Sequence, residues 1–354
     1  MSKSAMAAEI RDAVTPRAFA LVVGVLLLQL GFLLSYIGAF HHPTPHRLPL
    51  AVAGSPQVSE QLAQRLDALP GQPAKAVTVA DADAARTRLL HREVDAAYLP
   101  GDGGGRDTLL VASAAGGPVT EAAQRLGRQL AEQRGRSLDV RDIAPADPQD
   151  RGSLTAFYLA IGWMIGGYLA AAALGVAAGA QPASPRRAGF RLAALVLYAL
   201  VSGVGGALIV GPVLGALGGH FLALAALGAL VVFGAGAATL ALQALFGTVG
   251  VGLAVLVFVV LGNPSAGGAY QAPLLPGFWA AIGPWLPPGA TTSAVRHLVY
   301  FDGNALGRPL LTLALWAVAG VAISLVASAR HPINPDLSLP TRFRPGGESR
   351  RSDH

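Results

Sequence analysis

Apolar residues in this chain fall into long unbroken runs in some places and into short helical or alternating patterns in others. No Asp, Glu, Lys or Arg occurs between Arg17 and Arg47, between Arg151 and Arg186, between Arg191 and Arg296, or between Arg308 and Arg330. A helix needs about 20 apolar residues to cross a bilayer. These runs predict six crossings: Ala18–Phe40, Leu154–Ala180, Phe190–Val213 (broken near its end by Gly211-Pro212), His220–Phe246, a short Thr248–Gly262, and Leu306–Ala329. The first run exceeds the apolar core of a secretory signal, and no small-x-small cleavage site follows it. His41, His42 and Pro43 come next, so the run reads as an uncleaved anchor.

Residues 41–153 have a different pattern. Leu48–Ala53, Ala76–Val79, Ala96–Leu99, Thr108–Ala112 and Leu138–Ile143 read as short strands. Val58, Leu62, Leu66 and Leu69 recur at helical spacing, as do Val119, Ala123, Leu126 and Leu130. Ser55-Pro56 marks a helix start, with Ser as cap and Pro at the first position. Asp81 caps the helix that carries Leu89 and Leu90. Gly101–Gly105 is a flexible turn. Strands alternating with helices predict a small α/β domain.

The segment from Asn263 to Gly307 contains Pro264, Pro273, Pro276, Pro284, Pro287 and Pro288, together with Phe278, Trp279, Trp285, Tyr300 and Phe301. Proline interrupts regular structure, and such aromatics sit well at a bilayer interface. Ala280–Leu286 is too short to span. One or two short interfacial or re-entrant helices are expected here, the alternative being a plain surface loop. The stretch Ala7–Phe19 is a candidate surface helix, with Ile10 and Val14 on one face.

Composition agrees with this division. Of 354 residues, 53% are hydrophobic and 13% charged, and there is no cysteine. Disulfides and thiolate metal sites are therefore excluded. The net charge of +6 would fit a nucleic-acid partner if it formed a patch. It does not, because residues 41–153 carry 13 basic against 14 acidic residues. The excess lies in the N-terminal segment (Lys3, Arg11, Arg17), the segment Gln181–Arg191 (Arg186, Arg187, Arg191) and the tail (Arg330, Arg342, Arg344, Arg350, Arg351). With six crossings all three fall on one side, which the positive-inside rule makes the cytoplasm.

The expected architecture is an α-helical polytopic membrane protein. It has six transmembrane helices and an extracytoplasmic α/β domain inserted between the first and second. Residues 1–17 form a cytoplasmic segment, 18–40 the first helix, 41–153 the outer domain and 154–329 a five-helix domain with an outer re-entrant loop at 263–306. Residues 330–354 form a cytoplasmic basic tail, read as disordered. The location is the plasma membrane, with both termini cytoplasmic.

Several local stretches carry a family likeness: His91-Arg92-Glu93-Val94-Asp95-Ala96-Ala97-Tyr98-Leu99-Pro100, the run Gly162–Tyr168, Gly262-Asn263-Pro264-Ser265-Ala266-Gly267-Gly268, Leu275-Pro276-Gly277-Phe278-Trp279, and the run Gly283–Gly289. With the order of elements, they resemble the permease subunits of type-2 ABC exporters and the related phage-infection-protein (Pip-like) membrane proteins. The resemblance covers about residues 15–330 and is stronger for architecture than for activity. It implies a homodimer or heterodimer of permease subunits and a cytoplasmic ATPase docking on short inner loops. Gln181–Arg191 is then the candidate coupling loop, with Arg186, Arg187 and Arg191 facing acidic or helix-end groups of that partner, or serving only to set topology.

No phosphate-binding G-x-x-x-x-G-K-[ST] loop occurs, so ATP would be bound by the partner and no cofactor is expected in this chain. No Asp or Glu lies in a predicted span, which argues against proton coupling. His220 is the one ionisable candidate, at the outer end of the fourth span. Gln29 and Gln243 lie nearest mid-span and read as helix contacts. Gly162 with Gly166, and Gly211 with Gly215 and Gly219, have the spacing of close helix packing. His41, His42 and His46 read as a solvated linker rather than a metal site. Arg296, His297 and Asp302 form an ion pair or line an outer gate. No catalytic constellation can be assembled, so no enzyme activity is expected. The expected function is export of an amphipathic or lipid-like molecule, powered by a separate ATPase. The alternative is a non-transporting envelope protein whose outer domain binds a partner or serves as a receptor.

Overall fold

The computed structural model describes residues 15–101 and 105–330. Residues 7–14 of the expected surface helix, Asp102–Gly104 of the glycine turn and the tail beyond Arg330 lie outside the described residues, and residues 16–19 belong to the first long helix rather than to a separate surface helix. The chain is mostly helical. Among the described residues, five helices are long and apolar enough to cross a membrane, and a sixth apolar helix, Val249–Ser265, is shorter. The elements of a small sheet lie between the first and second long helices in chain order.

Helix α1 (Pro16–Phe40) starts where Thr15 Oγ1 accepts from Ala18 N at 3.1 Å with Pro16 in the first turn. The domain that follows contains β1 (Leu48–Ala53), α2 (Pro56–Asp67), β2 (Ala74–Val79), α3 (Ala82–Leu90), β3 (Ala96–Leu99), β4 (Arg106–Val111), α4 (Gly117–Gln133) and β5 (Ser137–Asp142). The five expected strands all form. Asp81 caps α3, accepting from Ala84 N at 2.8 Å. Ser55 makes no side-chain cap. Pro56 sets the start of α2, and Ser59 Oγ donates to Ser55 O at 3.1 Å instead.

The sheet order is β2-β1-β3-β4-β5. Strand alternation with helices breaks once, because β3 and β4 form an antiparallel hairpin, Tyr98 opposite Leu109. The other pairings are parallel, with Leu50 beside Ala76 and Ala96. One face of the sheet packs Leu50, Val52, Tyr98 and Leu109 against Leu62 and Leu66 of α2 and Val119 and Leu126 of α4. The other packs Ala51, Ala97 and Leu110 against Ala85 and Leu89 of α3.

The helical half contains α5 (Thr155–Ala178), α6 (Pro185–Leu208, extended by a π-helical turn Ile209–Val213) and α7 (Phe221–Phe246). Then come α8 (Val249–Val255, continued by a π-helical stretch and a last turn to Ser265), α9 (Gly277–Ile282), α10 (Pro287–Tyr300) and α11 (Gly307–Arg330). α7 is the central helix and the most buried of the long ones. Its neighbours approach closely where side chains are missing. A Cβ on Gly203 of α6 would lie 2.3 Å from Ala225 O, and one on Gly320 of α11 would lie 2.6 Å from the backbone of Ala237. Of the expected glycine motifs, Gly166 of α5 does meet a neighbouring helix, a Cβ there lying 3.2 Å from Tyr198 Oη of α6, while the others do not. Gly215 and Gly219 adopt φ of 64° and 88° in the turn after Pro212, and Gly162 has open space where a Cβ would point.

Gln243 is buried, its amide in the space left by Gly175 of α5, as a helix contact requires. Gln29 is exposed on α1 and makes no helix contact of that kind. α1 is outward-facing along most of its length; Ser35 and Ala39 are its buried residues. It touches α8, where Ser35 Oγ donates to Val260 O.

The Pro-rich segment is no plain surface loop, and its aromatics part company. Phe278 and Trp285 are exposed at 58% and 62%. Phe301 enters the core beneath α3, and Leu274 enters the core beneath α2 and α4. His46 N donates to Pro273 O at 2.7 Å. The sheet domain is thus anchored to this segment through both of its cores. Truncating Phe301 to alanine is expected to cost about 3–5 kcal/mol, the usual range for a buried Phe. Protease sensitivity at the junction and a lowered unfolding temperature of the detergent-solubilised protein would report it.

Candidate functional site

Two cavities are lined by side chains that bear on function. The first lies at the junction of the sheet domain and the Pro-rich segment. It has a volume of about 460 Å³, and Arg92, Asp95, Gln271, Ser293, Arg296 and Arg308 contribute to its walls. Its scaffold is polar and interlocked. Asp150 Oδ1 accepts from Leu154 N and Thr155 N, both at 3.0 Å, and so caps α5. Asp150 Oδ2 accepts from Tyr300 Oη of α10 at 3.4 Å. Burial and the nearby Asp150 charge push the Tyr300 phenol up to about 12. Gly116 lacks a Cβ that would collide with Gln271, so the Gln271 amide reaches in and its Oε1 accepts from Val119 N at 3.2 Å.

Arg296 sits at the centre of this junction, 7% exposed. Its Nη1 donates to Gly267 O at 2.7 Å and its Nη2 to Ser153 O at 3.0 Å. Its Nε is buried without a hydrogen-bond partner. Desolvation first, and the Arg92 charge second, lower its pKa to about 10, which leaves it charged at neutral pH.

The expected ion pair of Arg296 with Asp302 does not form. Asp302 is exposed at φ 51° in the turn after α10, while Arg296, on the buried face of α10, is held by two carbonyls. His297 lies 3.1 Å from Ala305 O through Nδ1, and burial with the Arg92 charge holds its pKa down to about 4. Arg92 pairs with Asp95 at 2.7 Å and lies 5.0 Å from the Phe301 ring centroid, leaving its Nη1 unpartnered.

Sequence reasoning found Arg296 and His297 but missed Asp150 and Arg308, and it quoted Arg92 and Asp95 only for a likeness. The available signal was an acidic residue just ahead of the second apolar run, where a helix N-terminus attracts negative charge. The Arg92-to-Asp95 spacing across a tight turn was a second one.

The second cavity is an apolar groove of about 570 Å³ between α5 and α6, lined by Thr155, Tyr158, Trp163, Ser202, Ile209 and their neighbours. The Trp163 indole fits into space left by Gly206 and Gly228, and its Nε1 has no hydrogen-bond partner.

The candidate coupling arginines lie on a helix rather than in a loop. Ser184 Oγ accepts from Arg187 N at 3.3 Å and Pro185 fills the first turn, so α6 begins before all three. Arg191 is buried and folds back on its own chain. Its Nη2 donates to Ala178 O at 2.6 Å and its Nη1 to Ala180 O at 3.4 Å, closing the C-terminal end of α5. Arg186 and Arg187 remain exposed, Arg186 lying 5.8 Å from the Phe190 ring centroid. His220 precedes α7 at the end nearer the sheet domain. Nδ1 of His41 lies 2.8 Å from Ile37 O, and His46 lies 3.4 Å from Thr44 Oγ1.

His297 makes stability depend on pH with a definite sign. Its folded pKa, about 4, lies below the ordinary value of 6.5, so between these values the unfolded chain binds more protons. Its contribution is fully present above pH 6.5 and is lost as pH falls towards 4. Arg92 and Arg296 are the cations that oppose its protonation. A His297→Gln variant is expected to lose less stability than the parent between pH 6.5 and 4.5, as read from unfolding temperatures at matched ionic strength.

Comparison with known protein families, with curated proteins and with solved structures finds no match to this chain.

Proposed function

We propose that this chain is the permease subunit of an ABC-type exporter, moving an amphipathic or lipid-like substrate with energy from a separate ATPase. In this reading α8 is a short fifth crossing, so that six spans place residues 41–153 outside and both termini in the cytoplasm of a plasma-membrane protein. The permease works as a homodimer or heterodimer.

The observation that carries the reading is the groove between α5 and α6. It is apolar along its walls and is lined by a few isolated polar groups: Thr155, Tyr158, the Trp163 indole and Ser202. No charged side chain lines it, so it suits an acyl or polycyclic body better than a strongly charged solute. The small-residue contacts of α7 support rigid-body shifts between helices. Arg186 and Arg187, exposed at the far end of α6 from the sheet domain, are the groups left to meet a partner.

Co-purification from the native membrane tests this. An ATPase subunit is expected to accompany the parent chain, and lipid-like compounds should stimulate its hydrolysis. The Arg186→Glu/Arg187→Glu double variant is expected to lose the ATPase while keeping the parental unfolding temperature, since both side chains are exposed and such surface changes usually shift stability by less than about 0.5 kcal/mol. A parent chain that retains no ATPase, with a double variant indistinguishable from it, would favour the partner-binding envelope protein instead.

A further inference from the structure

We propose that the junction cavity binds a phosphate group, presented by the headgroup of a phospholipid. The argument begins with charge. Three guanidinium groups, Arg92, Arg296 and Arg308, line the cavity against one carboxylate, Asp95. Asp95 is taken by Arg92. Arg296 has no carboxylate within ion-pair distance, and neither does Arg308 among the described residues. The nearby Asp150 is already committed to the α5 terminus and to Tyr300.

Two positive charges are therefore uncompensated around one space; that of Arg296 is buried, and a buried charge is expensive unless paired, while that of Arg308 is exposed at the rim. Donors are also left over. Arg92 Nη1 and Arg296 Nε are buried without partners, although buried polar atoms in folded proteins are overwhelmingly hydrogen-bonded. Ser293 and Gln271 add neutral polar groups to the wall.

An oxyanion answers both deficits at once. Guanidinium groups match phosphate oxygens in charge and in fork geometry. The volume of about 460 Å³ is several times what a bare phosphate fills, and it leaves room for ester substituents. Depth points to the source. Trp285 and Phe278 are exposed on the same Pro-rich segment that walls the cavity, and Arg308 lies 5.2 Å from the Trp285 ring centroid. Exposed aromatics of this kind sit at headgroup level in a bilayer. By this criterion the cavity falls at the level of lipid phosphates, a placement that does not depend on whether the chain transports anything.

The test uses the full chain, delipidated in nonionic detergent. It is titrated with a short-chain phosphatidylglycerol, with a diacylglycerol of the same chains, and with inorganic phosphate. Native mass spectrometry counts bound lipid, and tryptophan fluorescence of a variant that keeps Trp285 and carries Phe at the other three tryptophans follows Trp285. Phosphatidylglycerol is expected to occupy one site at least about tenfold more tightly than diacylglycerol, the least that a charge-assisted hydrogen bond supplies. Arg308→Gln, at an exposed position, should erase most of that preference without changing the unfolding temperature. Arg92→Gln/Asp95→Asn, which removes both members of a pair, should do the same for lipid binding. Equal retention of the two lipids, or parental binding in both variants, would overturn the site. Inorganic phosphate that saturates the site and gains nothing from acyl chains would retain the phosphate chemistry and overturn the lipid source.

Discussion

The burial of Arg296 is the constraint on which the relation between the two halves of this protein depends. A guanidinium withdrawn from water needs its donors met, and here two carbonyls from distant parts of the chain meet those of Nη1 and Nη2: Ser153 just ahead of α5 and Gly267 just after α8. Both residues adopt positive φ, 51° and 72°, which turns those segments sharply beside α10. Asp150, three residues ahead of Ser153, caps α5 and reaches Tyr300. A single polar layer thereby ties the sheet domain, the start of α5 and the Pro-rich segment together. Phe301 and Leu274 then complete the attachment from the apolar side. Without the polar layer these aromatic and aliphatic anchors would have no fixed direction from which to enter the domain.

Below this layer the helices follow a different rule. Lipid tails are as apolar as the side chains, so helix association rests on close packing rather than on burial from water. α7 supplies that packing by meeting neighbours at positions without side chains, among them Gly167, Gly203 and Gly320. α1 is the exception. It meets α8 near Ser35 and presents most of its apolar surface, with Gln29, outward. The two kinds of cavity reflect the same division. The one at the junction is polar and cation-rich, while the one between α5 and α6 is almost wholly apolar.

The arginines of Gln181–Arg191 illustrate how one sequence feature separates into unlike roles. All three look equivalent as a basic cluster. Once Ser184 and Pro185 start the helix, Arg191 falls one turn further along and turns back to the carbonyls that α5 leaves open at its end. Positive charge at a helix C-terminus is favourable there. Arg186 and Arg187 stay at the surface.

The sequence by itself determined the elements. The charge-free runs located the long helices, period-two and helical spacing located the strands and helices of the small domain, and Asp81 was recognisable as a cap. Such features are local, because hydrophobic periodicity and capping act within one or two turns. Tertiary structure alone decided which groups meet. The pairing of β3 with β4, the helical contacts at Gly203 and Gly320 in place of Gly215 and Gly219, and the passage of Phe301 into the domain rather than the bilayer interface all depend on segments far apart in the chain. The same is true of the junction site, where Arg92, Asp150, Gly267 and Arg296 come together. Arg296 looked like a partner for the adjacent Asp302, but burial on α10 placed it against two distant carbonyls. Desolvation, which no local pattern encodes, chose between the two.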